Sequence, residues 1–489
     1  MRWLIVPLLA LVLIGCGRDD GSAVQVAFIG TQEDLFADGL RLSPGAQHLR
    51  AATEAGLVSL DSQGDVIPAL ADRWIVTDDG RSFIFRLREG DWPDGSELTA
   101  ENVRAALQDT IRALGGTSLG LDLAPIEEVR AMAGRVIEIR LSAPVPMLLQ
   151  LLAQPELALS PGRSGDTGGS GPMLLKRDGS TAVLTMKPPE DRGIPERPDW
   201  ERYVRTIELQ AQSAEEAIAR FDDGTLDLVL GGGIAAFPLV YTGPLSRGTV
   251  RIDPTLGLFG LRVVRERGLL DSPQGREAIA MAIDRNALIA PYNVGGWAPT
   301  TRVVPSGLPS DPGYVDERWT DQTLEQARVE AAQRVAAWRD ANESEARLAL
   351  ALGQGPGLDI LFSELAVQLA TIGVRLERAR ELDQADLVLI DRVARYAESR
   401  WFLNQFHCTL GNGLCSSEAD ALVRESIVQT DPGAKAALLA QAEAELTLAN
   451  VYIPFGSPLR FSLVRGDVDG FIGNAWAFHP LPPLAVIPR

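Results

Sequence analysis

Apolar and polar side chains alternate from Ser82 to Arg88. Phe83, Phe85 and Leu87 fall on one side, and Ile84, Arg86 and Arg88 on the other. That is the two-residue period of a half-buried strand. Before it lie Gly56–Asp61, a turn at Ser62-Gln63-Gly64, and Ile67–Trp74. Asp79-Gly80 joins two β-like runs and predicts a hairpin turn, because glycine accepts a positive φ there. After a turn at Asp91–Gly95 the period changes to that of a helix. Thr99 is the expected N-cap, Glu101 suits the helix dipole, and Val103, Leu107, Ile111 and Leu114 share one face.

The same pattern continues along the chain. Strands are expected at Val24–Ile29, Val136–Leu141, Arg205–Gln210 and Leu226–Leu230. Pro144–Pro146 restarts a helix through Met147, Leu148, Leu151 and Leu152. Ser160–Pro172 is a loop rich in Gly, Ser and Pro. Ser213 opens a helix with Glu216 as its capping-box partner, and Gly224 closes it. A helix begins at Asp271-Ser272-Pro273, and Asp284 and Arg285 fall at its end as structural residues. Pro299–Pro312 is a second loop, followed by a helix over Glu325–Trp338. Strand 347–352, helix 359–372 and strands 374–377 and 385–390 form a β-α-β order, which predicts an α/β lobe with a largely parallel sheet. A late helix, 431–450, precedes strands at Tyr452–Phe455 and Phe461–Val464.

Length adds that 489 residues suffice for about three domains. The formal charge of −19 argues against a nucleic-acid surface, which needs clustered Lys and Arg. The N-terminus has the form of a targeting segment. Arg2 precedes an apolar run, Trp3–Gly15, that is too short to span a bilayer. Leu13-Ile14-Gly15-Cys16 resembles a bacterial lipobox, cleaved before Cys16, whose thiol is then lipidated; the plain alternative is a cleaved leader with an incidental cysteine. No other apolar run approaches a membrane span, so the rest is expected to be soluble. In an exported chain Cys408 and Cys415, flanking a loop with two Gly and an Asn, are expected as a disulfide; the alternative is a metal site with His407.

The long stretch described first carries a family resemblance. Gly56-Leu57-Val58, Pro68-Ala69-Leu70-Ala71 with Trp74, Asp78-Asp79-Gly80, Phe85–Gly90, Trp92–Gly95 and Leu98–Val103 stand in the order of the family 5 extracellular solute-binding proteins, the dipeptide, oligopeptide and nickel receptors of ABC importers. Gly224–Asp227, the segment Arg276–Arg285 and Ile453-Pro454-Phe455 resemble further family steps. The resemblance implies an α/β fold of two lobes, the type II, cluster C-like periplasmic-binding-protein fold, with a small α+β subdomain inserted in lobe one. On that reading 1–15 is the signal peptide and 16–22 a tether. Segments 23–48, 161–252 and 455–489 form lobe one, 49–160 the insertion and 253–454 lobe two. The implied function is capture of a peptide or similar small solute between the lobes and its delivery to permease subunits with their ATPase. The implied protein is a periplasmic monomer, held to a bacterial membrane or cell surface by lipid on Cys16.

No catalytic constellation accompanies this. The chain has three His and no H-E-x-x-H, G-x-S-x-G or phosphate-binding loop, so neither an enzyme, a cofactor nor a metal is expected. Peptide-binding members pair the ligand's α-amino group through a D-Y-x-D-P segment after a strand. Here the matching strand runs into Asp391-Arg392-Val393-Ala394-Arg395-Tyr396-Ala397-Glu398, and that pattern is missing. Asp391 or Glu398 is the substitute carboxylate. If Arg392 and Arg395 face the cleft, an anionic or carboxylate-bearing ligand follows; if they face solvent, nothing does. Asp391, Arg395, Trp401, Asn404, Gln405 and Trp476 are the candidate ligand contacts, with Phe402 as a further aromatic. A second function stays open: a lipoprotein that keeps the fold as a ligand-free structural or interaction module, its cleft filled.

Overall fold

A computed structural model describes residues 23–159, 169–243, 248–308, 310–311 and 313–487. The leader, the tether with Cys16, and most of the 160–172 loop lie outside the described residues. Two large sheets organise the chain. The first has seven strands in the order Val250–Ile252, Arg460–Val464, Leu228–Gly233, Val24–Ile29, Ile207–Gln212, Thr181–Met186 and Met173–Asp178. Its central strand, Val24–Ile29, runs parallel to both neighbours. Val24, Val26, Ala27 and Phe28 are buried there, as the apolar run predicts.

The second sheet has five strands, ordered Val374–Arg378, Ala346–Ala351, Leu387–Val393, Gly257–Val263 and Tyr452–Gly456. It departs from the expected largely parallel sheet. The strands flanking Ala346–Ala351 are parallel to it, but Gly257–Val263 runs antiparallel to both its neighbours. The reason is connectivity. Gly257–Val263 brings the chain in from the first lobe and Tyr452–Gly456 leads it back, so the two lie side by side in opposite directions. Gly257–Val263 is buried at every position.

The insertion is a four-stranded antiparallel sheet, Ala71–Val76, Ser82–Leu87, Val136–Leu141 and Ile126–Met132, beside a short hairpin of Val58–Leu60 and Val66–Pro68. Gly80 makes the hairpin turn at φ 65°, its N–H donating to the Thr77 carbonyl at 2.8 Å. Phe83, Phe85 and Leu87 pack under helix Ala100–Ala113, which buries Val103 and Leu107. Each such side chain contributes about 1.5–3 kcal/mol by leaving water. Thr99 caps the helix, and Asn102 completes the capping box by accepting from the Thr99 N–H.

Asp284 caps the helix Arg285–Ile289, and Arg285 donates to the carbonyls of Thr300 at 3.0 Å and Pro454 at 2.8 Å. Both roles are structural. Cys408 and Cys415 are bonded to each other, with Cα atoms 5.2 Å apart, which leaves no thiolate for the metal site weighed with His407. Among the described residues no helix is long and apolar enough to cross a membrane.

Candidate functional site

Strands Val24–Ile29, Ile207–Gln212, Leu228–Gly233 and Leu387–Val393 all bring their carboxyl ends to one space, where open α/β sheets hold ligands. The space is a cavity of about 760 Å³, within the range of small-molecule sites. One wall belongs to the seven-stranded sheet and helix Pro44–Thr53, through Phe28, Gln47, His48 and Gly231. The facing wall is Asp391–Arg395 with Trp401 and Gln405. The insertion closes a side with Thr117–Leu119, Asp122 and Gln154–Glu156, and Trp476–Phe478 close another.

Local structure fixes each part. Gly231 has φ +78°, and a Cβ there would lie 2.4 Å from the Phe28 ring, so only glycine lets that ring face the cavity. Trp476 lies against the turn at Gly64, where a Cβ would come within 2.4 Å of the indole, and its backbone N–H donates to Asn474 Oδ1 at 3.1 Å. His48 is buried; its Nδ1–H donates to the Pro44 carbonyl at 2.6 Å, and its Nε2 accepts from the His479 N–H at 3.1 Å. Burial lowers its pKa to about 3 against the hydrogen bond to Pro44, which acts the other way.

Charge is distributed unevenly. Asp391 accepts from Arg460 Nη1 at 2.7 Å, a pair that joins the two large sheets. Arg395 reaches across to the insertion and donates to Glu156 Oε1 at 2.9 Å and Gln154 Oε1 at 3.0 Å. Gln47 Nε2 donates to the same Glu156 oxygen at 3.1 Å. Arg392 contacts no carboxylate among the described residues; its Nη1 donates to Gln405 Oε1 at 2.6 Å. The Arg392 side chain is exposed to the cavity, and desolvation by the walls around it lowers its pKa, with the charge of Arg395 adding to the effect.

Of the residues the sequence singled out, Asp391, Arg395, Trp401, Gln405 and Trp476 line the cavity. Asn404 does not. It is buried, and its Nδ2 donates to Asp122 Oδ1 at 2.7 Å, so it ties lobe two to the insertion. Glu398 likewise points away from the cavity, 3.3 Å from Lys435. Phe402 is fully buried against Trp401. The lining residues that sequence reasoning missed include Asp34, Gln47, His48, Asp122, Glu156 and Arg460. Burial raises the Asp122 pKa to about 7, with Arg400 opposing.

Two lobes, an insertion and a cavity walled by all three define a binding protein. The family described as Bacterial extracellular solute-binding proteins, family 5 Middle, matches residues 65–406, and the chain belongs to it. The chain is 21% identical over 468 residues to the periplasmic oligopeptide-binding protein OppA of Salmonella typhimurium, covering 86% of this chain and 84% of that one. It is 26% identical over 285 residues to the probable deoxycholate-binding periplasmic protein YgiS of Escherichia coli, 51% of each chain, so that match spans about half the length of the relative. The structure of Haemophilus influenzae OppA in complex with RPPGFSPFR superposes with a TM-score of 0.79 at 18% identity, covering 95% of this chain and 99% of that one, which establishes the type II periplasmic-binding fold. These relatives are named as binding proteins, not enzymes.

Proposed function

We propose that this chain is the extracytoplasmic receptor of an ABC importer. It captures a peptide or similar small solute between its lobes and presents it to membrane permease subunits driven by an ATPase. One observation carries the reading: the cavity of about 760 Å³ is unfilled by side chains and walled by both lobes and the insertion. A module retaining the fold for structural purposes would have that space plugged. The names of the relatives, an oligopeptide-binding protein and a probable deoxycholate-binding protein, agree with a small organic ligand. Lipid on Cys16 would hold a monomeric receptor at the periplasmic membrane surface, where a freely diffusing ligand meets it.

Native mass spectrometry of the full chain, purified without denaturation, tests the reading. The expected result is a small organic ligand that copurifies, and a melting temperature that rises when it is added back. A bare protein mass and a thermal screen flat across peptides, sugars and metals would sink it. The Cys16→Ser variant is expected to move the protein from the membrane to the soluble fraction.

A further inference from the structure

This inference rests on the inter-lobe cavity being the ligand site, and it names what that site selects. We propose that Arg392 anchors a carboxylate of the ligand and that no group on the same wall anchors an ammonium. The chain then selects small organic acids, peptide-like ones included, without requiring a free amine.

The guanidinium of Arg392 is held in place before any ligand arrives. Gln405 is 1% exposed, its Nε2 donates to the Trp401 carbonyl at 2.9 Å, and its own carbonyl accepts from Arg262 Nη2 at 2.5 Å. The bond from Nε2 turns Gln405 Oε1 toward Arg392, where it accepts from Nη1 at 2.6 Å, while the bond from Arg262 holds the Gln405 backbone. A guanidinium has five N–H donors in a rigid fork, so most of the fork remains for a second partner. A carboxylate matches that fork in a bidentate way, and a preset fork loses little entropy on binding.

The surroundings favour an anion. Arg262 and Arg395 lie near enough to couple electrostatically with Arg392. Arg395 is compensated by Glu156, but Arg392 has an amide oxygen where a counter-ion would be. The Arg392 side chain is exposed to the cavity, and an incoming carboxylate gains there a charge-assisted, bidentate bond that the amide oxygen does not supply.

Each carboxylate lining the cavity among the described residues, Asp34, Asp122, Glu156 and Asp391, already has a hydrogen-bond donor. Asp34 accepts from the Thr31 hydroxyl at 2.7 Å, and Asp122 from Asn404. Glu156, on the insertion and not on the wall of Arg392, accepts from Gln47 and Arg395 through Oε1, its charge matched by Arg395, while its Oε2 has no partner. Asp391 is the one acid beside Arg392 on its strand. Arg460 spans it twice, donating to the side chain at 2.7 Å and to the backbone carbonyl at 3.0 Å. An ammonium seeking Asp391 would have to displace a guanidinium that is already bound.

A pooled library of di- to pentapeptides tests this in three forms: free acids, N-acetylated free acids and C-terminal amides. Retention by the full chain is read by equilibrium dialysis and mass spectrometry. Wild-type protein is expected to retain both acid forms alike and the amides about tenfold less. Arg392→Gln, which keeps a donor for Gln405, is expected to lower acid binding about tenfold, to the level of the amides, with Arg392→Lys between. The melting temperature of each variant checks that it is folded. Amides retained as well as acids, or acids unaffected by Arg392→Gln, would overturn the anchor while leaving the cavity as the ligand site. Loss of binding on N-acetylation would overturn the claim that no amine is needed. Retention of no form by wild-type protein would remove both the anchor and the receptor reading.

Discussion

His48 shows how a single residue ties the site to its surroundings. It keeps one proton, on Nδ1, because Nε2 is occupied by the His479 N–H. Its folded pKa of about 3 lies below the ordinary 6.5. Between those values the unfolded chain binds a proton that the folded chain refuses. The stabilisation is therefore complete above pH 6.5 and is lost as pH falls toward 3. Asp122, whose pKa burial raises to about 7, acts the other way over the same range. The His48 contribution is therefore expected in the difference between profiles: the wild-type melting temperature should fall relative to that of His48→Asn as pH drops from 6.5 to 4. Wild-type and variant profiles that run parallel over this range would contradict the assignment. Such contacts were invisible in sequence, since His48 and His479 lie 431 residues apart. The cavity wall itself was partly legible. Asp391, Arg392 and Arg395 were marked by departure from D-Y-x-D-P, yet which way they face depends on packing. Aligned on Tyr396 and Glu398, that pattern puts Arg395 at the first acidic position, so the charge reversal was readable in register. Asn404 and Gln405 are neighbours on one short helix, and a single step of rotation sends one to Asp122 and the other to the cavity.

At the scale of elements, local signals read well and long-range ties did not. Thr99, Ser213, Ser272 and Asp431 all cap helices through their side chains, although Glu216 does not return the bond that the capping box expected at Ser213 requires. Helix Ser417–Val428 carried the same signal, Ser416 as N-cap with Glu418 and Asp420 in the first turn, and was missed. The Pro299–Pro312 loop looked unanchored in sequence. In the fold Arg302 pins it to helix Pro432–Ala449, donating to both oxygens of Glu443 at 3.2 and 3.0 Å and to both of Asp311 at 3.0 and 3.2 Å. All three side chains are nearly inaccessible to water. Arg302→Met would leave two buried carboxylates facing each other, and should cost about 3–5 kcal/mol in chemical denaturation. Adding Glu443→Gln should recover part of that loss. If Arg302→Met alone lost less than about 1 kcal/mol, the triad would not be holding the loop.

At the scale of the whole molecule, motifs in the insertion made the two-lobed family legible, whereas the direction of the crossing strands depended on how lobe two returns to lobe one. Contacts between the lobes come from residues far apart in the chain, such as Arg395 with Glu156 and Asp391 with Arg460. The seven-stranded sheet has a further consequence, for the order in which the protein can be completed. Strand Arg460–Val464 lies between Val250–Ile252 and Leu228–Gly233, so the sheet has a gap until that strand arrives. The five-stranded sheet needs nothing beyond Tyr452–Gly456. A chain emerging N-terminus first therefore finishes its second lobe while its first is still open, although the first was begun earlier. A chain halted after Gly456 should, under limited proteolysis, yield a resistant fragment that reaches from about the strand Gly257–Val263 to its C-terminal end, and lose the segments before it. Protection of the N-terminal segments in that truncation would show that lobe one closes without its last strand. This arrangement delays commitment of the N-terminal segments until nearly the whole polypeptide has been made.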